Sequence, residues 1–197
     1  DGGDVLIAQP GVASLARSPK PRIGLEPASS DLLLLHVALE QVKLPLSAVE
    51  IVPLPQNRLL PAFKNGEIDA AVSYAPTSLS LLKAGGKILF SSAQSPAAIL
   101  DVLVADAQTV KNRPAELAAV VRAFYRAVAF AKAHPDAAYA IMAAREQLSV
   151  AEFRQTLDGI RLVPLAEQTR LLTSSFPQAI GRVEHVLRNT QSLAIGG

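Results

Sequence analysis

The sequence has no cysteine, no tryptophan and one methionine, and aromatic residues make up only 5% of its 197 positions. Without cysteine there is neither a disulfide framework nor a cysteine-based zinc site. The three histidines, His36, His134 and His185, stand far apart with no ligand-like spacing, so each reads as a helix-surface or half-buried residue and no metal is expected. Charge of one sign is also lacking. Nineteen basic residues face seventeen acidic ones for a net charge of +2, and no Lys/Arg cluster interleaves with aromatics, which argues against a nucleic-acid surface. No apolar run approaches the length of a membrane span, and no signal peptide opens the chain, so an exported protein would carry its signal outside these residues.

What is present is a hydrophobic share of 50%, enough for one large or two small cores. The most informative stretch is Arg22 to Gln41. Ile23 and Leu25 alternate with Arg22, Gly24 and Glu26 as a short strand, and Pro27 cannot continue its hydrogen bonding. Ser29, Ser30 and Asp31 are all helix-capping types, followed by Leu32 to Leu35 with Val37, Ala38 and Leu39, a helix buried over much of its surface. Its first turn points free N–H groups and a positive dipole end outward, a setting for an anion. The same serines could equally cap the helix and bind nothing.

The chain around this unit alternates strand and helix. Asp4 to Ala8 reads as a strand, Val12 to Arg17 as one helical turn, Val49 to Val52 as a strand, and Arg58 to Lys64 as a helix ended by Asn65-Gly66. Ile68 to Tyr74 is the third strand counting the one at Arg22 as the first, Thr77-Ser78 opens a helix from Leu79 to Ala84, and Lys87 to Phe90 is the next strand. Ile99 to Ala105 reads as a further strand. From Pro114 the pattern becomes helical, over Ala115 to Ala133, Asp136 to Glu146, Val150 to Asp158 and Thr169 to Asn189, with Ser149 and Glu152 spaced as a capping box. This predicts a parallel or mixed α/β sheet covered by helices, with a ligand crevice beyond the carboxyl ends of its strands.

Three strand ends carry similar polar groups: Glu26-Pro27-Ala28-Ser29-Ser30, Pro53-Leu54-Pro55-Gln56-Asn57 and Tyr74-Ala75-Pro76-Thr77-Ser78. Ala28, Ser29, Ser30, Gln56, Asn57, Tyr74 and Thr77 are therefore the candidate ligand-binding residues. Asp101, a carboxylate inside an apolar stretch, either faces the cleft or pairs at a strand edge.

The order Glu-Pro-Ala-Ser-Ser-Asp-Leu-Leu-Leu-Leu, Val-Glu-Ile-Val-Pro-Leu-Pro, Gly-Glu-Ile-Asp-Ala-Ala-Val-Ser-Tyr-Ala-Pro, Asp-Val-Leu-Val and Ala-His-Pro-Asp-Ala-Ala resembles the substrate-binding proteins of nitrate, sulfonate and taurine ABC importers. It is also similar to the pyrimidine-precursor-binding proteins of thiamine supply. The resemblance implies a periplasmic-binding-protein-like flytrap of type 2 whose two lobes close over a small ligand. Residues 20–95 would form one complete lobe, residues 1–19 an inter-lobe strand and linker, and residues 96–197 a hinge strand and the C-terminal helices of a second lobe. The strands and helices that open this second lobe are absent, so the apolar helix faces are expected to pack on another segment or a second chain. In that family the serine-rich turn, here Ala28-Ser29-Ser30, commonly receives the ligand's anionic group. At Tyr74-Ala75-Pro76, where the family often shows an aromatic residue, Glu and Pro, the carboxylate is missing, and a simple anion or uncharged polar ligand suits the position better than a cation.

The functional expectation is a solute-binding component that captures a sulfonate, nitrate or similar ligand and hands it to a membrane permease, at a periplasmic or cell-surface location and without a cofactor. A ligand-sensing domain of a regulator with the same fold is the alternative. An enzyme would need a nucleophile with its base or paired carboxylates at the strand ends. Glu26 and Asp101 are there, no histidine is near either in sequence, and the fungal pyrimidine synthases of this fold use a cysteine-rich motif that a chain without cysteine cannot reproduce.

Overall fold

In the computed structural model, which describes residues 2–17, 19–27, 29–96 and 98–194, the strands close into one sheet of order β3-β2-β4-β1-β5. They are β1 (Asp4–Ala8), β2 (Arg22–Leu25), β3 (Glu50–Pro53), β4 (Ala70–Tyr74) and β5 (Lys87–Ser91). β2 is parallel to β3 and β4, whereas β1 runs antiparallel between β4 and β5. The sheet is therefore mixed, and the start of β1 meets the carboxyl ends of the other four strands. The register sets Asp4 opposite Tyr74.

Helices α1 (Ser30–Gln41), α2 (Gln56–Lys64) and α3 (Thr77–Lys83) cover the two faces. Because side chains alternate along a strand, β1 sends Leu6 and Ala8 into a core shared with Leu34, Leu35 and Ala38 of α1, and Val5 and Ile7 into a second core with Leu59 and Phe63 of α2 and Leu81 of α3. α1 and α2 thus lie on opposite faces. Gly24 of β2 admits α2 closely, since a Cβ there would stand 2.9 Å from Leu59 Cδ2 and 2.7 Å from Ile68 Cδ1.

The remaining chain is helical: α4 (Ala107–Asn112), α5 (Pro114–Ala133), α6 (Pro135–Arg145), α7 (Val150–Asp158), α8 (Leu165–Arg170) and α9 (Phe176–Ala194), with a π-helical turn over Leu171–Ser175 joining the last two. The Ser149/Glu152 capping box forms as the spacing predicts. Gly159, just past α7, packs against the backbone of Gly3, just before β1, and so ties the helical part to the sheet. Phe124 and Phe130 of α5, Leu165 of α8 and Leu187 of α9 leave apolar surface uncovered.

Two expected elements are corrected. Val12 to Arg17 forms no helical turn: Ser14 Oγ accepts the Ala16 N–H at 3.0 Å, a local bond that competes with helical pairing. Ile99 to Ala105 is not a strand. Its composition is right, but the segment pairs with neither edge strand, β3 or β5, and β1 beside it already has β4 on one side and β5 on the other. It has no regular secondary structure, with Leu103 71% and Val104 79% exposed.

Candidate functional site

The connection from β2 through α1 leads outward to β3, and that from β3 through α2 leads back past β2 to β4. With the two helices on opposite faces, the strand order reverses between β2 and β4, and ligand crevices of open α/β sheets form at such a point, beyond the strand ends. α1 and α2 both begin here.

The side chain that occupies this point is Asp31, in the first turn of α1 and only 1% exposed. Its Oδ2 accepts the Glu26 N–H at 3.1 Å and Gln56 Nε2–H at 2.8 Å. Gln56 Oε1 in turn accepts Ser73 Oγ–H at 2.8 Å, so a chain of hydrogen bonds crosses the sheet's edge from β4 through α2 to α1. Asp31 Oδ1 is buried without a hydrogen-bond partner among the described residues. Burial pushes the Asp31 carboxyl up to about 6; the charges of Asp4 and Glu26 push the same way, and the Glu26 N–H and Gln56 oppose them. Burial raises the Asp4 carboxyl too, with Asp101 adding to it. The phenol of Tyr74, 41% exposed, is raised by burial and then by Asp31, Glu26 and Asp4.

Ser29 caps α1. Its Oγ donates to Glu26 O at 2.7 Å and accepts the Asp31 N–H at 3.2 Å. Ser30 opens the helix half-buried, and Asn57 is exposed on α2 beside Gln56. Thr77 begins α3 just beyond Tyr74, half-buried, and the Ala75–Pro76 peptide before it is cis. Ala28 lies outside the described residues. Asp101 is exposed, and its charge reaches Asp4 from an irregular segment rather than from a strand. Ser29, Gln56 and Tyr74 are thereby joined to one acidic edge. Asp4, Asp31 and Ser73 were not among the sequence candidates. For Asp31 the signal was available: a carboxylate directly before four leucines of a largely buried helix must itself be buried and partnered.

A groove of about 360 Å³ opens elsewhere, over the C-terminal half of α1, between Leu15, Ala38, Val42 and Phe90. It is lined by no charged side chain, and none of its lining residues belongs to the group around Asp31.

The fold, a mixed α/β sheet with helices on both faces and a helical C-terminal part, is like that of periplasmic binding proteins. It is similar to the periplasmic aliphatic sulphonate-binding protein SsuA from Escherichia coli, with a TM-score of 0.69 and 18% identity over 92% of this chain and 65% of that one. It is similar also to the alkanesulfonate-binding protein SsuA from Xanthomonas axonopodis pv. citri bound to MOPS, with a TM-score of 0.77 and 15% identity over 95% of this chain and 65% of that one. A looser likeness, TM-score 0.55 and 17% identity over 97% of this chain and 69% of that one, relates it to the desulfurization enzyme DszB. At these identities the likeness is one of fold, and the chain spans 65% of the length of either sulfonate-binding structure. Comparison with curated proteins finds no sequence match. The profile of the NMT1/THI5-like family matches residues 20–138, more than half of the 197-residue chain, and the chain belongs to that family.

Proposed function

We propose that the protein is the solute-binding component of an ABC importer, and that the switch point between β2 and β4 holds a small polar ligand carrying at least one N–H or O–H donor. The observation that carries this reading is Asp31: a buried carboxylate with one oxygen fully engaged and the other without a partner. An orphaned buried acceptor costs roughly 1–3 kcal/mol, which a donor from the ligand would recover. Asp4 and Glu26 add negative potential, so a bare anion such as nitrate would meet repulsion at this edge. A ligand with both charges suits it better, its donor toward Asp31 and its anionic group toward the free N–H groups of α1. The binding makes and breaks no bond in the ligand.

In this reading residues 20–95 are one lobe, residues 1–19 and the start of 96–197 pass between lobes, and the helices from α4 onward belong to the second. The protein works outside the inner membrane and delivers its ligand to a membrane permease. The periplasmic binding proteins that share its fold support this. The uncovered apolar faces of α5, α8 and α9 pack on a further segment or a second chain; a monodisperse, monomeric 197-residue species in light scattering would count against that.

The test is thermal melting against taurine, alkanesulfonates without an amino group, nitrate, sulfate and aminopyrimidines, since a ligand that binds only the native state raises the melting temperature. A shift with a donor-bearing compound, lost in Asp31→Asn, is expected. A shift with the simple anions alone, equal in wild type and Asp31→Asn, would overturn the assignment of the donor to Asp31.

A further inference from the structure

Far from the strand ends, the structure brings together two histidines that the sequence keeps far apart. His36 lies on α1 and His185 on α9, their rings edge to face with centroids 5.8 Å apart. Glu40, one helical turn after His36, completes the group, and one donor atom from each of the three residues lies within 4.8 Å of the others. We propose that His36, Glu40 and His185 form a binding site for a divalent cation of the zinc class at the junction of α1 and α9.

The geometry of His36 carries the argument. Its Nε2 is buried and stands 3.2 Å from Glu40 Oε1, yet it has no hydrogen-bond partner. An imidazole nitrogen and a carboxylate oxygen this close, with no hydrogen bond made between them, can share a metal ion. In a tetrahedral zinc site with bonds of about 2.0–2.1 Å, neighbouring ligand atoms stand about 3.3 Å apart. The His36–Glu40 pair already has that separation. The (i, i+4) spacing is fixed by the helix, which sets both side chains on one face. Glu40 is exposed, so its carboxylate can close the remaining distance to an ion by a change of rotamer.

Two imidazoles and a carboxylate suit zinc and its first-row neighbours better than magnesium or calcium, which prefer oxygen alone. Three protein ligands leave a fourth position for water. The ion would join a helix of the α/β lobe to a helix of the C-terminal part, two elements that otherwise meet through a small contact. This site is independent of the ligand assigned to the strand ends.

The test uses the tag-free chain, stripped with chelator and titrated with Zn²⁺ by calorimetry and with Co²⁺ by absorption. One equivalent of Zn²⁺ per chain is expected, together with the visible bands of four-coordinate Co²⁺ and a higher melting temperature. Affinity should fall at least tenfold in His36→Gln and His185→Gln, the scale on which even outer-shell partners matter, and stay unchanged in His134→Gln. His185 is exposed, so His185→Gln decides the matter should His36→Gln fail to fold. No stoichiometric uptake by the wild type, or uptake kept at full affinity in His185→Gln, would overturn the site.

Discussion

Gln56 joins Asp31 to Ser73: its Nε2 donates to Asp31 Oδ2 at 2.8 Å while its Oε1 accepts from Ser73 Oγ at 2.8 Å. Three elements that start or end at the same sheet edge are thus held by one amide. Because an amide offers both a donor and an acceptor, no smaller or singly polar side chain can close both bonds.

The first prediction follows from the carboxylate this amide supports. The Asp31 carboxyl titrates at about 6 against 3.8 in its ordinary setting, so the folded state holds the proton more tightly than the unfolded one. The stabilisation from that proton is fully present below about pH 4 and is lost as pH rises through about 6. Converted at 1.36 kcal/mol per unit, the loss is at most about 3 kcal/mol. Asp31→Asn keeps an oxygen for Glu26 N–H and Gln56 and removes the charge. The variant should match the wild type near pH 4 and exceed it near pH 7. Urea unfolding of both proteins across this range checks it; parallel curves would show that Asp31 has no raised titration.

A second prediction concerns Gln56 itself. Gln56→Ala leaves Asp31 Oδ2 with only the Glu26 N–H and leaves Ser73 Oγ with a long 3.3 Å contact to the Tyr74 carbonyl. Hydrogen bonds to a charged group contribute about 1.5–3 kcal/mol, so a loss of that order is expected at pH 7. The loss should shrink near pH 4, where Asp31 is neutral. An equal loss at both pH values, again by urea unfolding, would mean that the amide acts by packing alone.

β1 to β4 were legible because a proline stands at or within two residues of each strand's end, and α1 and α7 because they open behind the capping serines Ser29 and Ser149, signals that act within a few residues. α1 from Ser30, and α7 behind its Ser149/Glu152 box, stand where those signals put them. The segment at Ile99 was misread for the opposite reason. Apolar β-rich composition states that a run could pair, while pairing depends on where the chain is carried, and this run reaches neither edge strand of the sheet. The candidate site divided in the same way. Ser29, Gln56 and Tyr74 were visible as polar residues at strand ends. Asp4 was hidden because its place at that edge requires β1 to run antiparallel, with Asp4 opposite Tyr74, which no local pattern encodes. The nearness of His36 and His185 depends likewise on how α9 folds back onto α1.

A third prediction tests the tie between the helical part and the sheet. A Cβ on Gly159 would stand 2.6 Å from both the Cα and the N of Gly3, and backbone on that side cannot yield as a side-chain tip can. Gly159→Ala should therefore push the end of α7 away from the start of β1 and cost about 1–3 kcal/mol. Gly181, inside α9, has nothing within 4 Å of its added Cβ, and Gly181→Ala should stabilise by about 0.5–1 kcal/mol through helix propensity. Thermal melting of the pair gives the contrast directly. Equal effects would show that the Gly3–Gly159 approach contributes nothing.

The last prediction joins titration to binding. A ligand donor that reaches Asp31 Oδ1 favours the ionised carboxylate, so binding must displace the proton that burial holds on Asp31 at low pH. Affinity for a donor-bearing ligand should rise as pH increases from about 5 to about 7 and level off above the titration near 6. Asp4, raised in the same direction, would steepen the rise. The same titration in Asp31→Asn should be flatter as well as weaker, whereas Ser29→Gly, which disturbs the cap of α1 by only a few tenths of a kcal/mol, should leave its shape intact. Calorimetry in two buffers of different ionisation enthalpy would count the released proton. An affinity that instead falls as pH rises would mean that the ligand accepts a hydrogen bond from a protonated Asp31, which reverses the polarity of the group it must carry.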